Sequence, residues 1–346
     1  MSTTHWPPGT ATGIGSLPGT DPREASRTVA GELPALPYLP ELPDRGVGAD
    51  MIGRTAALLV DLAVEVMPSG YRVTARPGRE HRRGVDLLRT DLDALDEALD
   101  SSGAERVKVQ AAGPWTLAAG IELRSGHRVL TDRGARHEFA ASLTEGLKAH
   151  VAEVAARTGA AVIVQLDEPG LPAVLAGTLP TASGWGTVRS IDAPEAVQIL
   201  REVIEALPAP VIVHCCAPGA PIALLREAGA GALALDARFL GTDTTTLDAI
   251  GETWDSGVPL LLGLVPALPP ALATAKEPSL RELARPAFDL ADQIGFARPR
   301  LAELAVPTPT CGLAGATPAW ARRAMALSSD LGKAFVEPPE SWGRDD

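Results

Sequence analysis

The sequence predicts an α/β fold: a single-domain (β/α)8 TIM barrel with an extra N-terminal segment of loop and helix. Three observations predict it. Short apolar runs of strand length alternate with helical periodicities along most of the 346 residues. The runs are rich in Val, Ile, Leu and Ala, the pattern of parallel strands buried on both faces. The polar residues able to do chemistry, Ser16, Asp167, His214, Cys216, Asp236 and Cys311, each lie at the C-terminal end of such a run. In a (β/α)8 barrel those ends share one face and can converge, whereas an open doubly wound sheet would not easily gather ends so far apart in sequence. No dinucleotide fingerprint or phosphate-binding loop is present, and Gly13 with Gly15 is too short to count as one.

Taken in order, the first strand is expected at 11–16, stopped by Leu17, Pro18 and Gly19. Residues 31–48, dense in Pro and Gly, read as a long loop holding a short strand near Tyr38. Helical periodicity is expected over 51–67, an irregular basic stretch over 68–88, and a short helix over 91–99. Regular alternation follows. Strands are expected at 106–110, 160–166, 211–216, 231–235, 258–262 and 304–310. Helices are expected over 132–157, 192–206, 222–228, 243–255, 279–293 and 318–334, with Asp192 and Pro194 marking a helix start. The whole of 1–346 reads as one catalytic barrel, with 1–10 and 338–346 as loose termini.

Composition excludes several classes. Hydrophobic residues make up 45% of the chain, enough for a large core and too many for a disordered one. The formal net charge of −12 argues against a binder of nucleic-acid backbones. No apolar run is long enough for a membrane span, and residues 1–19 lack the basic and apolar regions of a signal peptide. Unpaired cysteines without an export signal give the expectation of a reducing cytoplasm.

The three cysteines are confined to two places, Cys215 and Cys216 on one strand and Cys311 after another. Side chains alternate along a strand, so His214 and Cys216 project to one side and Cys215 to the other. A His-x-Cys pair and a distant Cys offer three nitrogen and sulfur ligands and leave a fourth position for a carboxylate, a water or a substrate sulfur, the pattern of a catalytic zinc. The same residues also fit a metal-free core, with the cysteines packing as small hydrophobes and His214 as an internally bonded histidine.

Together the motifs resemble the catalytic domain of cobalamin-independent methionine synthase, within the superfamily it shares with uroporphyrinogen decarboxylase. The family's His-x-Cys motif matches His214, Cys215 and Cys216, and its distal Cys-Gly motif matches Cys311 and Gly312. Its Ile-Gly-Ser motif matches Ile14, Gly15 and Ser16; its Asp-Glu-Pro motif matches Asp167, Glu168 and Pro169. The resemblance implies zinc on His214, Cys216 and Cys311, with Asp236 standing where the family usually has a glutamate. It implies that Ile14 and Ser16 take the carboxylate of homocysteine and Asp167 its amine. A second amine-binding glutamate is expected near 44–50, where none stands. The family histidine after the seventh strand has no counterpart in 263–269. The resemblance is to the short, catalytic-domain-only members, which leaves methylfolate and a methyl-corrinoid protein both open as donor.

The activity so implied is zinc-dependent transfer of a methyl group to the thiol of homocysteine, forming methionine. Another acceptor thiol or a corrinoid donor is the near alternative. A metal-free decarboxylase, or a barrel used only for binding, is the more distant one.

Overall fold

The computed structural model describes residues 5–181, 184–269, 277–338 and 342. Among the described residues nine strands appear in chain order: β1 (Ala63–Met67), β2 (Gly70–Thr74), β3 (Arg106–Ala112), β4 (Ile121–Glu122), β5 (Ala161–Asp167), β6 (Val211–Cys215), β7 (Ala232–Asp236), β8 (Leu260–Val265) and β9 (Ala305–Pro309). Six of them form one curled parallel sheet in the order β3-β5-β6-β7-β8-β9. Helices connect successive strands, including Arg133–Thr158 before β5, Ala193–Ala206 before β6 and Leu280–Ile294 before β9. The fold is therefore α/β and TIM-barrel-like.

The expected closure by eight laddered strands is corrected: this sheet is a half-barrel of six, not a closed barrel. The two N-terminal runs expected as strands, 11–16 and the one near Tyr38, cross the gap between β9 and β3 as extended segments that make only isolated bridges. Ser16 bridges Glu41, and Tyr38 bridges Lys108. Single backbone bonds fasten the rest: Thr12 N–H donates to Pro307 O, Leu39 N–H to Lys108 O, and Glu41 N–H to Gly15 O. Composition explains the missing ladders. Pro37 and Pro40 have no N–H to donate, so a continuous ladder cannot form along that segment. Gly13 is required for the close approach: a Cβ there would sit 2.3 Å from the Tyr38 ring.

The region before β3 also departs from expectation. The periodicity over 51–67 yields a helix only at Met51–Ala56, and then β1 and β2 form an antiparallel hairpin extended by β4. The stretch read as irregular supplies that hairpin's second strand and the first turns of a long helix, Arg79–Ser102, of which only 91–99 was expected. Pro22–Glu32 is a further helix, capped by Asp21. The expected loose termini fall partly on 1–4, 339–341 and 343–346, outside the described residues; Trp6 and Trp342 beside them are buried. No helix among the described residues is long and apolar enough to cross a membrane.

Strand alternation stacks the barrel interior in layers. The bottom layer is apolar: Ile163, Ile212, Ala232, Leu261 and Val306 form one buried cluster with Trp6 and Leu36. Two residues further along the same faces stand Gln165 and His214, and beyond Gln165 stands Asp167. The outward faces pack against the helices in the larger core, which takes in Cys215. The interior thus becomes polar toward the C-terminal ends of the strands.

Candidate active site

Register brings the first pair together. Asp167, the last residue of β5, lies directly opposite His214 on β6. Asp167 Oδ1 sits 2.7 Å from His214 Nδ1, with both side chains buried. His214 Nε2 is buried and has no hydrogen-bond partner. A buried polar atom without a partner costs about 1–3 kcal/mol, so this nitrogen is open to a ligand.

Cys311, which follows β9, comes to Cys216, which follows β6: their Sγ atoms are 3.3 Å apart although 95 positions separate them in sequence. The shared hydrogen bond splits their acidities. It pulls Cys311 down to about 6, with the nearby His214 adding to the effect, and it pushes Cys216 up together with burial. The pair thus favours the thiolate on Cys311 over Cys216, and the thiolate is the form that binds metals. Cys215 faces the helices, as alternation predicts, and burial pushes its thiol up to about 11. Gly312 lets Cys311 reach the site, because a Cβ there would lie 2.1 Å from Ser16 Oγ. Leu313 N–H then donates to Ser16 O and ties this turn to the Ile14–Ser16 segment.

Asp236 ends β7 at the same mouth, but its carboxylate is engaged. Arg238 Nη2 lies 2.6 Å from Oδ2, and the Arg238 N–H and Nε both bond Oδ1 at 3.0 Å. Arg238 stays mostly exposed and close enough to the two sulfurs to feel their charge.

Residues that the sequence gives no role of their own surround the site. Glu41, in the segment that bridges Ser16, is buried. Burial pushes its carboxyl up to about 7, against the pull of Arg54 and with the push of Asp167. It stands three positions before the stretch in which the second family glutamate was sought. A lone carboxylate in the run Tyr38 to Leu42 was the available signal. Arg54 lies 4.0 Å from Glu41 and bonds Asp91, which Arg45 grips with two hydrogen bonds. Lys108 is wholly buried inside the barrel, its ammonium pulled down to about 8 by burial against the opposing charges of Asp167 and Glu41. Glu168 turns away from the interior. It accepts from the Trp115 and Thr116 N–H groups and from Thr116 Oγ1, fixing the turn after β3, and burial raises its carboxyl to about 7.

The donor types fit zinc: two sulfurs in contact, and a buried imidazole nitrogen beside them left open by its own hydrogen bonding. Among the described residues, no group of three or more His, Cys, Asp or Glu is gathered tightly enough to hold an ion as it stands. Asp236 would have to leave Arg238 to join the set.

Comparison with known proteins supplies the family. Among curated proteins, none matches the chain. The chain resembles the B12-independent methionine synthase from Shewanella sp. W3-18-1, solved in complex with selenomethionine. Identity is 13% and the TM-score 0.56, over 94% of this chain and 97% of that one. A GH113 β-mannanase from Alicyclobacillus acidocaldarius aligns at 12% identity and a TM-score of 0.44, over 97% of this chain and 100% of that one. Residues 9–334 match the family described as the cobalamin-independent synthase, catalytic domain. That match takes in every site residue described above, and the chain belongs to the cobalamin-independent methionine synthase family.

Proposed function

We propose that the protein transfers a methyl group to the thiol of homocysteine, forming methionine, with zinc as its resident metal. One observation carries this reading: two cysteines from distant strand ends bring their sulfurs together beside a buried imidazole nitrogen that nothing else satisfies. His214 Nε2, Cys216 Sγ and Cys311 Sγ would hold the metal, with Asp236 as a fourth ligand once released from Arg238. Zinc bound there supplies the Lewis acidity that strips the proton from an incoming thiol and keeps it as a thiolate.

The remaining residues bind and orient the amino acid. The Ile14–Ser16 backbone and the Ser16 hydroxyl take its carboxylate. Asp167 and Glu41, both buried, take its ammonium, which offsets the charge of Asp167 that makes Glu41 harder to ionise. With both ends of the amino acid held, its side chain extends to the sulfur pair. The substrate sulfur attacks the donor's methyl carbon in line; the new S–C bond forms as the bond to the donor breaks, and the donor keeps the electron pair. The apolar interior beneath excludes water from this reaction.

The test loads the purified protein with zinc and mixes it with homocysteine and a panel of methyl donors, methylfolates and methyl-corrinoid proteins included. Methionine formed with at least one donor, and lost with zinc in Cys311→Ser, is the expected result. Full zinc retention by Cys311→Ser, or failure of the zinc-loaded protein to bind homocysteine, would overturn the reading.

A further inference from the structure

Between the amino-acid segment and the candidate metal histidine lies a chain of buried polar side chains, of which Lys108, Gln110 and Gln165 have no part in the mechanism above. Lys108 Nζ lies 2.9 Å from Ile14 O and 2.7 Å from Gln165 Oε1, with Gln110 Oε1 at 3.4 Å. Gln165 Nε2 lies 2.8 Å from Ile14 O and 2.7 Å from Asp167 Oδ1. Asp167 Oδ1 in turn meets His214 Nδ1 at 2.7 Å. Lys108 and Gln165 are completely buried, so no water competes for these bonds.

The chemistry of the groups gives the chain a direction. A lysine ammonium has donors and no acceptor, so Gln165 must turn its carbonyl oxygen toward Lys108. Its amide nitrogen then points to Ile14 O and Asp167 Oδ1. A carboxylate only accepts, so the ring proton of His214 belongs on Nδ1 and the lone pair on Nε2, the atom that has no partner. We propose that Gln165, itself aimed by Lys108, is a positioning residue that aims Asp167 at His214 and thereby holds the imidazole in the Nδ1–H tautomer, with Nε2 ready to bind metal. The same two side chains grip Ile14 O, so they also join the segment proposed to hold the substrate carboxylate to the metal side of the site. A direct hydrogen-bond partner of a metal-binding histidine is worth about 10- to 100-fold in metal affinity when removed, and Gln165 acts one bond further out, through Asp167. The metal part of this inference rests on the proposed role of His214; the tautomer part does not.

Two variants test it. Gln165→Glu keeps the volume and the bond to Lys108 but presents an acceptor to Asp167. Gln165→Met removes both bonds, and circular dichroism establishes that each variant is folded. The first readout is nitrogen NMR of labelled histidine in the metal-free protein at a pH where the ring is neutral, with His214 assigned by its loss in His214→Gln. The wild type should show the Nδ1–H pattern, and at least one folded Gln165 variant should shift toward Nε2–H. The second readout is zinc affinity by chelator competition, expected to fall by up to about 10-fold, the lower end of the range for a direct partner. Lys108→Met should give a smaller change of the same sign in both. A wild-type ring pattern and zinc affinity in every folded Gln165 variant would overturn the proposal. That outcome would leave wild-type zinc binding untouched, whereas zinc retention by Cys311→Ser would refute the metal assignment whatever the Gln165 variants do.

Discussion

From β3 round to β9, each strand is hydrogen-bonded in register to the next. In the seam that faces this arc, residues 11–17 and 36–41 are held by isolated bridges, single backbone bonds and side chains reaching across: Thr12 Oγ1 to Leu36 O, Gln110 Nε2 to Leu39 O, and Lys108 Nζ to Ile14 O. The arc carries all the proposed metal ligands, and the seam carries most of the proposed amino-acid contacts, with Asp167 of the arc sharing the ammonium. The arc ends in His214, Cys216, Cys311, Asp167 and Asp236, and the seam carries Ile14, Ser16 and Glu41. A ladder places strand ends rigidly, which suits ligands that must meet around one ion. A seam fastened by side chains can be shaped around a substrate, but its stability depends on a few buried polar bonds.

This contrast can be broken at its strongest point first. Serine at Cys216 or Cys311 should abolish stoichiometric zinc and methyl transfer together while leaving the fold intact, as metal analysis and circular dichroism would show. Glu41→Gln in the seam should do the reverse, keeping zinc but weakening homocysteine binding; loss of a hydrogen bond to a charged group costs about 1.5–3 kcal/mol, roughly ten- to a hundredfold in affinity by titration calorimetry. If Glu41→Gln removed zinc, the division of labour between seam and arc would fail.

Stability should distinguish the regions next. Gln110→Leu strands Leu39 O, for about 1–3 kcal/mol by chemical denaturation, and Gly13→Ala forces a methyl into the Tyr38 ring at a comparable cost. Ile212→Val, in the arc's apolar layer, should cost only about 0.5–1.5 kcal/mol.

A pH dependence is expected outside both regions. The Glu168 carboxyl, raised by burial to about 7 from an ordinary 4.5, keeps its proton in the folded chain where the unfolded chain has lost it. Its contribution to stability is complete below about 4.5 and is lost as pH rises through 7. Melting temperatures of Glu168→Gln should therefore fall less between those limits than those of the wild type, both measured with a chelator present.

The arc was legible in the sequence because its signals are local. Six apolar runs became the six laddered strands within a few residues of their expected limits, and strand alternation correctly sent Cys215 to the helices and His214 inward. The seam was legible only in part. Its runs were recognised as extended, but proline spacing that forbids a ladder was not weighed against apolar content, so eight strands were expected where six pair. Glu41 went unplaced because its role depends on lying beside Ser16, a contact between two loops that no periodicity encodes. Lys108 reads in sequence as an ordinary charge on a strand, and only the barrel's curvature turns it inward. The hairpin of β1 and β2 was missed because Ala63 to Met67 continues the helical spacing of 51–62, and the turn at Pro68 to Gly70 sets the boundary.

Zinc-edge X-ray absorption of the zinc-loaded protein, with and without homocysteine, tests the central claim most directly. The account predicts two sulfur scatterers and at least one imidazole in the free protein, and a third sulfur when homocysteine is added. A zinc environment of oxygen and nitrogen alone, unchanged by homocysteine, would contradict it.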